Sequence, residues 1–113
     1  VAIAQTLSPI KYDVIVKDPL SKWIDKLSIV ESGGRPGIKI LDSNNKYSYG
    51  CMQFQMDTFR SYVRKYDLLP EAEDLELENW IYDCEFQKYL AHRMISEDPR
   101  NINHWKNSLP KIK

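Results

Sequence analysis

Apolar residues recur at helical spacing from Leu20 through Trp23, Ile24, Leu27 and Val30, while Lys22, Asp25 and Lys26 fall on the outward side. Asp18 followed by Pro19 predicts the start of this helix, because the carboxylate can accept an otherwise unpaired backbone N–H and proline has none to leave unpaired. Gly33 and Gly34 end it. Arg35 to Tyr49 holds Gly37, Asp42, Ser43, Asn44 and Asn45, a turn-rich composition that predicts a loop or a small hairpin. Met52, Met56, Phe59, Val63 and Tyr66 resume a helical pattern, with Asp57 as the expected cap after a short irregular piece, and Leu68-Leu69-Pro70 turn the chain. Leu77, Ile81, Cys84, Lys88, Ala91 and Ile95, broadened by Trp80, Phe86, Tyr89 and Leu90, read as one wide apolar seam and predict a central buried helix. Asp98-Pro99 opens a last short element through Trp105, and the basic tail beyond Pro110 is expected to be loose. Alternation at Tyr12, Val14 and Val16 predicts an extended arm or short strand over residues 1–17. The fold class that follows is all-α, or α with a minor β hairpin, as an arm over 1–17 and one small domain over 18–113.

Composition narrows the function classes. A chain of 113 residues with 42% hydrophobic positions has room for one modest core. Sixteen basic residues balance sixteen acidic ones, so no net field favours nucleic acid, and no nucleic-acid partner is expected. No window approaches the roughly 18 apolar residues of a membrane span. The sequence begins at Val1, which we read as a natural start removed by processing or truncation. Cys51 and Cys84 leave two readings open. They are either two buried thiols or a disulfide whose closed loop stabilises by roughly 3 to 4 kcal/mol in the chain-entropy model. His92 and His104 have no paired spacing with them, so no metal and no cofactor are expected.

Glu31 is the residue with the most chemistry in its context. It falls on the last turn of the first helix, one position from the apolar stripe, followed by Ser32, Gly33 and Gly34. A carboxylate there meets the negative end of the helix dipole, which disfavours its charged form. If neighbouring apolar groups also strip its water, it stays partly protonated near neutrality, as general acid catalysis requires. The alternative is a solvated charge near a helix cap.

Two blocks in order carry a family resemblance. Glu31-Ser32-Gly33-Gly34-Arg35-Pro36 is followed, after the turn-rich stretch, by Gly50-Cys51-Met52-Gln53-Phe54 with Thr58-Phe59. Over roughly residues 20 to 60 the chain thus resembles the lytic transglycosylases of the soluble, goose-type-lysozyme-like group, which place a catalytic Glu-Ser at a helix end and then Gly-Leu-Met-Gln before a Thr-containing helix start. Cys51 stands where that family has Leu. Farther on the match is loose: Tyr89-Leu90 answers to a family Tyr-Leu, but Phe86 replaces the preceding Gly.

The resemblance implies a small lysozyme-like domain that acts on the glycan strands of peptidoglycan. Glu31 would protonate the glycosidic oxygen between N-acetylmuramic acid and N-acetylglucosamine, then accept the proton of the muramic C6 hydroxyl as it closes a 1,6-anhydro ring. Ser32 and Ser48 would support the substrate or the acid, Gln53 would offer its amide to an N-acetyl group, and Gly50 would let the backbone approach a sugar. Tyr47, Tyr49, Tyr82 and Trp105 are candidate stacking walls, with core packing as the default for Tyr82 and Trp105. The implied setting is periplasmic or extracellular, either secreted or carried by a secretion or phage assembly.

Hydrolysis would need a second acid. Asp42 and Asp57 are the candidates, but the first reads as an Asx-turn residue and the second as a helix cap, so we expect the transglycosylase outcome over a lysozyme-like hydrolase. The family's Ala-Tyr-Asn stretch is absent, and Asn101-Ile102-Asn103-His104-Trp105 occupies roughly its place. That departure keeps a third reading, a glycan-binding or structural module with little turnover. An unrelated helical interaction domain requires both blocks to be coincidental.

Overall fold

The computed structural model describes residues 18–112. The arm expected over 1–17 lies outside the described residues. Among the described residues four α-helices accompany a small three-stranded sheet, in agreement with the predicted fold class.

Helix α1, Pro19–Ser32, begins as expected: Asp18 accepts from the Ser21 N–H at 2.7 Å, and Pro19 occupies the first turn. It ends at Gly33, whose left-handed φ of 70° lets its N–H reach the Ile29 carbonyl at 2.8 Å. Ser21, Ile24, Leu27, Ser28 and Ser32 form its buried face.

Strands β1, Lys39–Leu41, and β2, Tyr47–Tyr49, form the hairpin in antiparallel register, with Ile40 opposite Ser48. Asn45 turns it with φ 70°, a conformation asparagine tolerates. A third strand, β3 at Phe54–Gln55, is additional to the expected hairpin. Left-handed backbone at Gly50 (φ 79°) and Gln53 (φ 56°) reverses the chain tightly enough to bring Phe54 and Gln55 back along β2.

Helix α2, Met56–Lys65, follows directly with Gln55 at its cap position. Asp57, the expected cap, instead lies inside the first turn and bonds Lys46 Nζ at 2.9 Å. The single seam expected from Leu77 to Ile95 is two helices, α3 at Asp74–Trp80 and α4 at Cys84–Glu97. Asp83 restarts the chain by accepting the Phe86 N–H at 2.9 Å. Apolar spacing runs through this corner because Ile81, at the bend, is fully buried, so hydrophobic pattern alone does not register the break.

Phe86, Leu90, Ala91, Met94 and Ile95 of α4 are buried in a core with Ile24 and Leu27 of α1, Phe59 and Val63 of α2, and Met52, Phe54 and Trp105. The Asp25–Lys88 ion pair and the Asp18–His92 contact, each 3.1 Å, lay α1 antiparallel on α4. Two 3-10 segments finish the chain, Pro99–Trp105 and Leu109–Lys111. The second replaces the loose tail expected after Pro110, and Ile112 packs against the core. Among the described residues no helix is long and apolar enough to cross a membrane.

Candidate active site

Glu31 sits half-buried on the last turn of α1, and its Oε2 accepts a hydrogen bond from the Ser108 hydroxyl. Loss of water raises its pKa above the ordinary value; the Ser108 bond opposes that rise, the Asp42 charge adds to it, and Lys111 opposes it. The balance keeps the acid form populated to higher pH than an exposed glutamate.

Asp42 does not make the Asx turn expected of it. Asn44 does, accepting the Lys46 N–H at 3.1 Å. The Asp42 carboxylate turns inward, where Oδ2 accepts from the Ser48 hydroxyl and from Gln55 Nε2, the latter at 2.7 Å. Asp42, Ser48, Gln53, Thr58, His104 and Trp105 share the lining of a cavity of about 250 Å³. Glu31 is not in that lining; Asp42 couples to it electrostatically, and Ser108 reaches it from three residues beyond Trp105. The resulting site has one half-buried acid of raised pKa, one carboxylate held by two donors, and an amide at Gln53.

The other residues named from sequence divide by position. Ser48 and Gln53 line the cavity; Gln53 Nε2 also donates to the Gly50 carbonyl at 2.9 Å. Ser32 is buried and faces inward, its hydroxyl lying 2.8 Å from the Cys51 carbonyl and 3.0 Å from that of Ser28. It ties the end of α1 to the Gly50–Gln53 loop, and its burial keeps it from a substrate. Gly50 is buried too: a Cβ there would stand 2.6 Å from Gln87 Nε2. Its missing side chain makes room for Gln87 rather than for a sugar.

Tyr49 belongs to the alternate face of β2, opposite Ser48 in the pleat. Its ring meets Tyr82 edge-on at 5.7 Å, and the Lys39 ammonium stands 4.4 Å from the Tyr47 ring. Neither Tyr49 nor Tyr82 lines the cavity with Asp42. Trp105 is a buried core residue whose Nε1 donates to the Met52 carbonyl at 2.8 Å, with one part of it in the cavity wall. His104 packs its ring on Tyr62 and Trp105, and loss of water lowers its pKa below the usual histidine value. A disulfide joins Cys51 to Cys84 and anchors the loop to the start of α4. Among the described residues no group of three or more histidine, cysteine or acidic side chains is placed to hold a metal ion.

Three residues of the site, Gln55, Ser108 and Gln87, are not among those that the sequence singles out. Ser108 lies in a polar, basic tail with no periodicity to mark it. Gln87 did leave a signal, since it precedes Leu90, Ala91 and Met94 by three, four and seven positions and so falls on the apolar face of α4. Fully buried, it accepts the Met52 N–H at 2.8 Å and donates to the carbonyls of Tyr49, at 2.8 Å, and Ile81. Its amide thereby holds both sides of the loop that presents Gln53. Comparison with protein-family models, curated proteins and solved structures finds no match to this chain.

Proposed function

We propose that this protein is a peptidoglycan lytic transglycosylase with Glu31 as its acid and base. The observation that carries the reading is the half-buried Glu31 carboxyl, bonded to Ser108 and raised in pKa by burial beside the Asp42 charge. In this mechanism Glu31 gives its proton to the glycosidic oxygen between N-acetylmuramic acid and N-acetylglucosamine. The C1–O bond breaks, and the glucosamine leaves with a hydroxyl. The muramic C6 hydroxyl then attacks C1 and returns its proton to Glu31, so a 1,6-anhydro ring forms and no water is consumed. Asp42 lends fixed negative charge to the positive character that develops at C1. Gln53 and the Ser48 edge of the cavity supply polar partners for N-acetyl and hydroxyl groups. The disulfide suits a periplasmic or extracellular setting, whether the protein is secreted or carried by a secretion or phage assembly.

One observation favours a second reading, lysozyme-like hydrolysis. Asp42 is not the turn residue its polar segment predicts, and it lines the cavity, where it would serve a water as base or the cation as counter-charge. Digestion of purified peptidoglycan in 18O-labelled water separates the two. Transglycosylation yields unlabelled anhydro ends, whereas hydrolysis yields reducing ends that carry the label. Absence of either product would leave the binding module.

A further inference from the structure

A second hollow lies on another part of the molecule. A groove of about 510 Å³ lies where the turn between α2 and α3 meets α3 and α4, and no residue lines both it and the Asp42 cavity. Leu68, Leu69, Pro70 and Ala72 of the turn line it together with Trp80 of α3 and Tyr89 of α4. α4 turns Lys88 and His92 to α1 and gives Phe86 and Tyr89 to this groove. Its size is that of a site able to take one or two large side chains.

Two further features accompany the apolar lining. Leu69 in the wall holds left-handed backbone (φ 50°), which is unfavourable for leucine, whereas the left-handed Asp67 (φ 55°) ends α2 in the ordinary way, its N–H on the Arg64 carbonyl and the Leu68 N–H on that of Val63. A strained position such as Leu69 is of the kind that clusters at ligand clamps and other functional sites. The charged residues in the lining are Asp67, Glu71 and Glu76, all acidic. Arg64 is not in the lining but bonds to its wall, donating to the Ala72 carbonyl at 2.6 Å, and it is also tied to Asp74 at 3.3 Å. Arg93, also outside the lining, stacks over Tyr66 at 4.6 Å and donates to the Tyr89 hydroxyl at 3.5 Å.

We propose that this groove docks a short cationic peptide segment of a partner protein, one aromatic or branched aliphatic side chain entering the apolar floor and flanking lysines or arginines meeting Asp67, Glu71 and Glu76. Charge complementarity selects this occupant over an acidic peptide. An acidic segment would place like charges on the rim and gain nothing from it. The inference is independent of the Glu31 chemistry and would stand if the protein cleaved no glycan.

The test uses the 15N-labelled full chain titrated with acetyl-Lys-Trp-Leu-Lys-amide and with its counterpart acetyl-Glu-Trp-Leu-Glu-amide. We expect saturable shifts of the Leu68, Leu69, Glu71, Ala72 and Trp80 amides with the lysine peptide, about tenfold tighter than with the glutamate peptide. Glu71→Lys should narrow that ratio severalfold. Leu69→Gly, which keeps the backbone conformation and removes the wall side chain, should abolish the shifts while leaving the remaining spectrum in place. Equal affinity for the two peptides, undiminished binding by Leu69→Gly, or shifts confined to the Glu31 region would each overturn the proposal. So would concentration-dependent groove shifts without peptide, which would seat a second copy there. Nuclear Overhauser contacts from the groove to residues 1–17 in the free chain would assign it to the chain's own arm, with the same consequence.

Discussion

The hydroxyl of Ser108 donates to the carboxylate of Glu31 across a separation of 77 residues. This contact makes the final turn of the chain part of the candidate site, and it acts on the charged form of the acid. Removing it in Ser108→Ala leaves burial and the Asp42 charge unopposed by that donor, so the Glu31 pKa should rise further. An activity that needs the protonated acid is lost as pH rises through that pKa, and the alkaline limb of the pH–rate profile should therefore move to higher pH in Ser108→Ala. A profile with an unmoved alkaline limb would remove Ser108 from the account.

Asp42→Asn should move the same limb the other way. The substitution deletes the negative charge that helps raise Glu31 while keeping an acceptor for Ser48 and Gln55. The same raised pKa has a stability sign: the folded state holds its proton more tightly, so stability falls as pH climbs from the ordinary glutamate value near 4.5 through the folded value. Asp42→Asn should lessen that fall, measured as melting temperature against pH in wild type and variant.

Gln87→Leu should cost roughly 2 to 4 kcal/mol of folding stability, because the Met52 N–H and the carbonyls of Tyr49 and Ile81 would lose a buried partner without replacement. Urea unfolding followed by tryptophan fluorescence reads this directly. A loss below about 1 kcal/mol would mean that the loop is held by other contacts.

Replacing Cys51 and Cys84 together by serine should cost roughly 3 to 4 kcal/mol in the chain-entropy model, since the bridge closes a separation of 33 residues. The same denaturant titration, compared with and without reductant on the wild type, checks it. The reductant should lower the wild-type midpoint and leave the double variant unchanged.

Local signals account for the parts of this fold that sequence made legible. Asp18, Pro19 and Gly33 mark the ends of α1 by their own backbone chemistry, and the Asn-rich turn marks the hairpin. What escaped depended on contacts between distant segments. The corner at Ile81–Asp83 is invisible to hydrophobic period because Ile81 remains buried through it. The third strand depends on Gln53 adopting a left-handed φ, for which glutamine gives no hint. Within the site, Glu31 was legible from its helix end and the blocks around it. The inward turn of Asp42 was not, since Asn44, two residues on, meets the same turn requirement and leaves Asp42 free to bond Gln55. Gly50 was legible as a glycine that matters, but its reason, the Gln87 amide, lies on α4.

The central claim is that Glu31 is a protonatable acid that cleaves glycan, and Glu31→Gln tests it with little change of shape and an acceptor retained for Ser108. Soluble muropeptides released from purified peptidoglycan by wild type and variant, quantified by mass spectrometry, give the answer. The account predicts anhydro-ended products from the wild type and a loss of at least about 100-fold in the variant. Equal release by both proteins, with the variant folded, would contradict it.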